Sequence, residues 1–428
     1  MQLFREVGLS SSVFLVVGNI VGVGIFTTSG LIAQEVGFSS WVLLVWIVGG
    51  ALALVGALCY ARLGIQFPKA GGEYAFLYPT FGPFPAFLSG WASLLIGFSA
   101  PIAASALGLA FYLRPFLPES LQAAPQIEKW TAIITLLLVG FFLSLGLKSG
   151  HRLHSGATLL NFSLAAIFSI LVVWKAPMGE RVVPLLTAGG GEAGLPSLAA
   201  AIVLVMFTYS GWNAAAYIAE EIRSPRKNIP RALLIGTIVV ILLYLAMNVA
   251  YFSATPFDEL AGEVAVAEIT AASVFGPVGR TLVTALILLS IFSSLTAMAI
   301  AGPRVYFAMS RDRLFPAWLS AVDPNRKAPL RSIWFQTLIA VFLVLVGRFD
   351  QILLYSGFIL IIFSTLTVAA LYKTSSWRVL PTVFVIVNML VLFNAVVSRP
   401  WEALAGVTVV SLGIPVYLHY RRKKVGRV

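Results

Sequence analysis

The chain has 428 residues, of which 59% are hydrophobic and only 11% charged, with a mean hydropathy of +0.94. An average soluble domain carries roughly 25% charged residues, so this composition excludes a soluble fold and reads as an integral membrane protein. The net charge of +12 is large enough to suit nucleic acid, but its distribution over the loops argues for membrane topology instead.

A spanning helix needs about 20 apolar residues. Such runs fall at 9–32, 41–65, 84–112, 129–147, 154–174, 197–219, 231–253, 278–309, 331–347, 352–372, 379–397 and 401–419, which predicts twelve spans. The first is too long for a signal-peptide core and lacks a small-residue cleavage site, so it reads as a span. It contains Gly18-Asn19-Ile20-Val21-Gly22-Val23-Gly24-Ile25-Phe26. Gly18 and Gly22 alone would suit close helix packing, but the third glycine at 24 weakens the helix where Gly22 already does. A nucleotide-binding glycine loop does not fit, because no strand pattern precedes it.

The second span holds the single cysteine, Cys59, which reads as a small buried hydrophobe and leaves no intramolecular disulfide or cysteine metal cluster. Phe67-Pro68-Lys69-Ala70-Gly71-Gly72-Glu73-Tyr74-Ala75-Phe76 follows. It is expected to be a loop leading into a short interfacial helix, with its aromatics at headgroup depth. Span three, at 84–112, carries no charge, and span five contains Asn161. His151, His154 and His419 sit beside basic residues at predicted membrane edges, which points to interfacial solvation rather than metal ligation.

Span six is interrupted by Phe207-Thr208-Tyr209-Ser210-Gly211-Trp212-Asn213. The loop at 255–276 carries Asp258, Glu259, Glu263 and Glu268 and reads as a solvated outer surface, with an outer lid as the alternative. Span eight holds Ser293, Ser294 and Thr296, and spans eleven and twelve lack polar interruptions, which suits a packing or oligomer role.

Twelve spans put both termini on one side, and 22 of the 29 basic residues fall on that side, the tail at 421–428 included. The positive-inside rule therefore places both termini in the cytoplasm of a multi-pass cell inner (plasma) membrane protein, its basic tail against lipid headgroups. The two interrupted spans lie five apart, an odd number, as an inverted repeat requires. The expected division is 1–175 and 197–373 for the two five-helix halves, 378–420 for a terminal pair and 421–428 for the tail, all within one transmembrane domain.

Lipid tolerates a broken helix only where it is buried in protein or lines a cavity, so the two breaks are the candidate substrate site. An unwound turn exposes the amides of Val23 and Gly24 at the N-terminus of the following half-helix, a place suited to a carboxylate. The preceding half-helix frees carbonyls such as that of Ile20, which suit an ammonium group. Carbonyls near Phe207 and Ser210 can take the remaining ammonium hydrogens, while Phe207, Tyr209 and Trp212 can close over a side chain. No Asp, Glu, Lys, Arg or His lies deep within a predicted span. A cationic ligand side chain would call for an intramembrane carboxylate, so neutral amino acids are favoured over cationic amino acids or polyamines.

These motifs resemble the amino acid–polyamine–organocation transporters, most closely the L-type amino acid transporter branch. The resemblance rests on Gly-x-x-x-Gly-x-Gly-Ile-Phe at 18–26, on the 67–74 segment running through Phe81-Gly82-Pro83 to Gly90-Trp91, and on Phe207-x-Tyr209-x-Gly211-Trp212-Asn213. Glu220-Glu221-Ile222-x-x-Pro225-x-x-Asn228-Ile229-Pro230-Arg231 and Arg304-x-x-x-Ala308-Met309-x-Arg311-Asp312 are also similar. The resemblance implies an all-α integral membrane protein of 12 transmembrane helices. They would form a LeuT-like 5+5 inverted repeat with discontinuous helices 1 and 6, plus two extra C-terminal helices.

By position, the resemblance puts the substrate carboxylate, beside Gly22, on the amides of Val23 and Gly24. It puts the amine on the carbonyls of Ile20, Phe207 and Ser210. Phe207 becomes the outer gate, and Trp212 and Asn213 shape the site. Many relatives carry a lysine where this chain has Asn161, which cannot titrate; that argues against proton symport through this position and for exchange or facilitated transport. Ser293 and Ser294, with Thr296, either contribute hydroxyls to a sodium site or bond back to their own helix. No cofactor is expected, and no disulfide-linked subunit, because Cys59 lies within a span. An intramembrane enzyme would need a deep His, Asp or metal cluster. A nutrient sensor would share the binding residues and differ only in moving nothing.

Overall fold

The computed structural model describes residues 3–176, 194–346, 349–398 and 400–425. Most of the predicted connection at 175–196 and the last three residues of the basic tail therefore lie outside the described residues. Among the described residues the chain is helical, with a single bridge, parallel, between Val7 and Ile222. The elements that position the site are α1 (Leu9–Ile20), α2 (Gly24–Val36), α3 (Ser39–Gln66), α4 (Glu73–Phe81), α5 (Pro83–Ala92) and α6 (Ala100–Leu113). Next come α7 (Ile127–Ser144), α8 (Leu147–Lys175), α9 (Leu195–Thr208), α10 (Ala214–Tyr217), α11 (Pro225–Ala254) and α12 (Val266–Ala301). The remainder are α13 (Pro303–Arg311), α14 (Leu330–Val346), α15 (Phe349–Ala369), α16 (Val379–Ser398), α17 (Pro400–Ser411) and α18 (Gly413–Val425).

Among the described residues, seven helices are long and apolar enough to cross a membrane. The pair α1 and α2, bent by 43° at their junction, passes the same test together, and four shorter apolar helices accompany them. Large apolar side chains point outward from α7, α8 and α16, among them Phe141, Ile170, Trp174, Leu390 and Phe393. In water such a surface would be unstable; against lipid tails it costs nothing.

α1 packs between α8, α11 and α12, while α2 lies against α9, α3 and α12. The helix through span three passes through a π segment, Ser93–Ser99, which periodicity did not reveal. It carries Phe98 edge-on against Tyr217, with ring centroids 5.0 Å apart. The terminal helices pack on the rest: Phe384 of α16 meets Trp212, and the Trp91 indole donates to the Val409 carbonyl of α17 at 3.0 Å.

Two sequence expectations need correction here. The segment at 67–76 does not present all its aromatics to lipid, since Tyr74 and Phe76 are buried within the protein. Gly71 and Gly72, at φ of 118° and 57°, turn the chain inward. Positive φ is a conformation that side chains resist, and a Cβ on Gly72 would strike the Tyr217 ring. Tyr74 then donates to Asp312 at 2.8 Å. Nor are His151 and His154 solvated at an interface, for both are buried. α8 begins at Leu147, before the predicted edge of its span, and α1 and α12 cover its face. His419 is exposed.

In the 255–276 loop, Asp258, Glu259 and Glu263 are exposed, whereas Phe257 and Leu260 are buried. The loop backbone closes on α2, with the Gly262 amide donating to the Gly30 carbonyl at 2.8 Å.

Candidate functional site

The two breaks lie back to back. α1 ends at Ile20, and Val21 leaves helical geometry at ψ 88°. α2 restarts at Gly24 with no side chain capping it. Among the described residues, no backbone acceptor meets the amides of Val23 and Gly24. They are orphan donors at the positive end of a 13-residue helix, the arrangement that favours an anion. Across from them, α9 ends at Thr208, and its hydroxyl sits beside the Thr28 hydroxyl of α2 at 3.1 Å. A Cβ on Gly24 would stand 2.8 Å from the Thr208 methyl, so the glycine lets α9 approach the amides.

Asn19 joins the breaks. Its amide nitrogen donates to the Gly211 carbonyl at 3.1 Å, and Gly211 holds φ at +103°. The Asn19 Oδ1 is buried and has no donor among the described residues. Such an acceptor is costly unless something fills it. Asn19 was not singled out from the sequence, although a lone amide side chain just before a glycine break was a legible signal.

The Ile20 carbonyl is not free, contrary to expectation. It accepts from the Gly22 amide and from the Tyr244 hydroxyl, each at 2.9 Å, which uses both of its lone pairs. The Phe207 carbonyl accepts the Ser210 amide at 3.0 Å. The Ser210 and Val21 carbonyls, by contrast, meet no donor among the described residues. The acceptors therefore stand one residue further along in the first break and beyond Phe207 in the second.

Val23 and Phe207, one at each break, are 39% and 44% exposed, so each break is open on that side. On the opposite side the breaks are closed. Trp212 meets Tyr60 edge-on at 4.7 Å and Phe384 at 6.1 Å. Gly56 makes room for it, since a Cβ there would lie 2.7 Å from the indole. Beneath Trp212, Asn213 donates to Glu73 Oε1 at 2.7 Å, and Tyr60 donates to the same oxygen at 2.9 Å. Glu73 Oε2 is buried without a donor among the described residues. The sequence placed Glu73 in an interfacial loop and so missed it as a neighbour of the site.

A layer of ion pairs lies beyond Glu73. Arg304 grips Glu221 through two bonds of 2.9 and 3.0 Å, and Arg311 holds Glu220 at 2.8 Å. Burial alone would raise the Glu221 carboxyl; the Arg304 guanidinium, with His151 beside it, outweighs that and holds it below the ordinary carboxylate range. The N-terminal segment seals this layer through the backbone pairing of Val7 with residues 221 and 223 and through Glu6 with Lys327. A cavity of about 110 Å³ lies here, between α4 and α13.

The remaining predicted positions lie on α8 and α12. Asn161 Oδ1 accepts from the Ser290 hydroxyl at 2.6 Å. Ser293 pairs with Thr158 at 2.7 Å, and Thr296 bonds back to the Ser293 carbonyl at 2.8 Å. Ser294 faces Gly22, whose Cβ would lie 3.4 Å from the serine hydroxyl. Among the described residues no group of three or more His, Cys, Asp or Glu side chains could hold a metal ion.

The family model for amino acid permeases matches residues 7–414. The serine/threonine exchanger SteT of Bacillus subtilis (strain 168) is 28% identical over 436 residues, covering 98% of each chain. The Asc-type amino acid transporter 1 of Mus musculus is 27% identical over 429 residues, covering 96% of this chain and 80% of that one. The large neutral amino acids transporter small subunit 2 of Homo sapiens is 28% identical, with the same coverage.

Proposed function

This chain belongs to the amino acid permease family, within the amino acid–polyamine–organocation transporters near their L-type branch. From that premise we propose that it carries neutral L-amino acids across the membrane by alternating access, in exchange mode. The observation that carries this reading is the junction of two helix breaks, tied together by Asn19 and Gly211, at which the amides of Val23 and Gly24 and the carbonyls of Val21 and Ser210 meet no backbone partner among the described residues. The amides of Val23 and Gly24 receive the substrate carboxylate. The ammonium group goes to the Val21 and Ser210 carbonyls and to Asn19 Oδ1. Backbone groups at both ends read the zwitterion, and the side chain lies toward Phe207 and Trp212.

Neutral specificity is supported by the exposed residues at the two breaks: Val23, Phe207 and Ser210 bring no charge. Exchange is supported by Asn161, a neutral group bonded to Ser290. It is also the mode named for the Bacillus subtilis relative. The membrane arrangement we propose has twelve spans, a 5+5 inverted repeat and cytoplasmic termini. In that frame the ion-pair layer seals the cytoplasmic side, and Phe207 stands open toward the outside.

Purified protein in liposomes should take up a labelled neutral amino acid, several-fold faster when unlabelled amino acid is trapped inside. Screening all twenty labelled amino acids identifies the substrate. Absence of uptake for every one, in vesicles of demonstrated integrity, would remove the proposal.

A further inference from the structure

The last turns of α3 hold the connection between α15 and α16. Arg62 and Gln66, four residues apart, share one face of that helix. The Gln66 side-chain amide donates to the Thr374 carbonyl at 3.1 Å, and the Arg62 guanidinium lies over the Trp377 ring at 5.7 Å. Lys373 reaches from the connection to the end of α4, its Nζ 4.4 Å from the centre of the Phe81 ring and 3.5 Å from the Thr80 carbonyl. Arg378 stands over the Tyr372 ring at 5.8 Å. Cations and aromatic rings from both ends of the chain therefore meet in one patch.

No carboxylate answers these cations. Residues 62–72 and 369–382 contain no Asp or Glu, and Glu73, next in the chain, is turned inward onto Asn213 and Tyr60. Among the described residues, none of Arg62, Lys373 and Arg378 joins an ion pair. The Arg62 Nε is buried and meets no acceptor among them. Arg378 spends its Nη1 on the carbonyls of Ser375 and Trp377, at 2.6 and 3.1 Å. A buried charged donor without an acceptor is costly, so the patch is short of an anion.

The neighbouring surface says which anion fits. Arginine matches phosphate through its planar fork of donors, and Trp and Tyr beside basic residues belong at headgroup depth. Tyr372 and Trp377 are both exposed. α16 begins directly after Arg378 and turns Val379, Val383, Ile386 and Leu390 outward, all of them exposed. Their spacing of four, three and four residues makes one apolar face that runs away from the cations. A soluble anion would use the cations and leave this face bare. An acidic peptide would set polar backbone against it. A molecule with a phosphate head and an acyl tail uses both parts.

We propose that this patch is a binding site for an anionic phospholipid. Its phosphate sits among Arg62, Lys373 and Arg378, and one acyl chain follows the outward face of α16. The site is separate from the two helix breaks and takes no part in recognising the amino acid.

Native mass spectrometry of the purified full chain in detergent tests this, with dioleoylphosphatidylglycerol and dioleoylphosphatidylcholine titrated separately. Each basic residue near an anionic surface contributes about fivefold to binding, so three should give the tightest phosphatidylglycerol a preference on the order of 100-fold over phosphatidylcholine. Arg62→Gln/Lys373→Gln/Arg378→Gln should erase most of that preference. Arg421→Gln/Arg422→Gln, which lowers the charge of the tail, should keep it. A preference retained by the triple variant overturns the proposal, as does one lost in the tail variant. Glycerol 3-phosphate, a head without a tail, should not displace the lipid at equal concentration; displacement would make this a site for a soluble anion and overturn the lipid assignment. Lys373→Gln alone changes one exposed side chain and serves if the triple variant does not fold. It should weaken phosphatidylglycerol by about fivefold, and unchanged affinity would overturn the proposal.

Discussion

Gly211→Ala is the most direct test of the idea that the two breaks form one site. Gly211 holds φ at +103°, where a side chain costs about 1–3 kcal/mol in backbone strain. The new Cβ would also stand 2.7 Å from both the carbonyl oxygen and the amide nitrogen of Asn19. Backbone on one side and a bonded side chain on the other leave little room to yield. Pushing Asn19 away forfeits its bond to the Gly211 carbonyl, a further ~1 kcal/mol. The joined arrangement should therefore weaken by about 2–4 kcal/mol, which is roughly 30- to 1,000-fold in its population. Two measurements read this: the melting temperature of the purified protein in detergent, which should fall, and exchange in liposomes, which should be nearly abolished. Asn19→Ala removes the bond without the strain and should show a smaller loss of the same kind. Wild-type exchange and melting by Gly211→Ala would refute the claim that the breaks act as a unit.

Phe207→Ala should cut exchange at least several-fold while leaving the melting temperature unchanged, because Phe207 is 44% exposed and its loss opens no core cavity; a clear fall in melting would assign it a packing role. Gly24→Val places a branched side chain where even a Cβ stands 2.8 Å from the Thr208 methyl. Amino acid binding by calorimetry should then weaken at least tenfold, and unchanged affinity would contradict the carboxylate position. Arg304→Met leaves Glu221, fully buried, without its two-bonded partner, a change costing about 3–5 kcal/mol. Glu221 is held below the ordinary carboxylate range, burial notwithstanding, by Arg304. The pair's stabilisation is therefore complete above that range and is lost as pH falls through the lowered value. The melting gap between wild type and variant should narrow toward acid pH, and a gap independent of pH would refute this account.

What the sequence determined by itself is local. The apolar runs, the glycines that interrupt span one and the Ser-Gly turn that interrupts span six were all legible, because helix continuity depends on residues within a turn or two. The orphan amides of Val23 and Gly24 followed from the same local rule. Tertiary structure decided which polar groups remain available. The Ile20 carbonyl is occupied by Tyr244, 224 residues away, and Asn19 meets Gly211 across 192 residues. Glu73 is bonded to Asn213 and Tyr60, and His154 is buried in the seam between α1 and α12. Hydropathy assigns a titratable side chain its depth from its immediate neighbours along the chain. Its true surroundings depend on which distant helix covers that face, and only packing decides that.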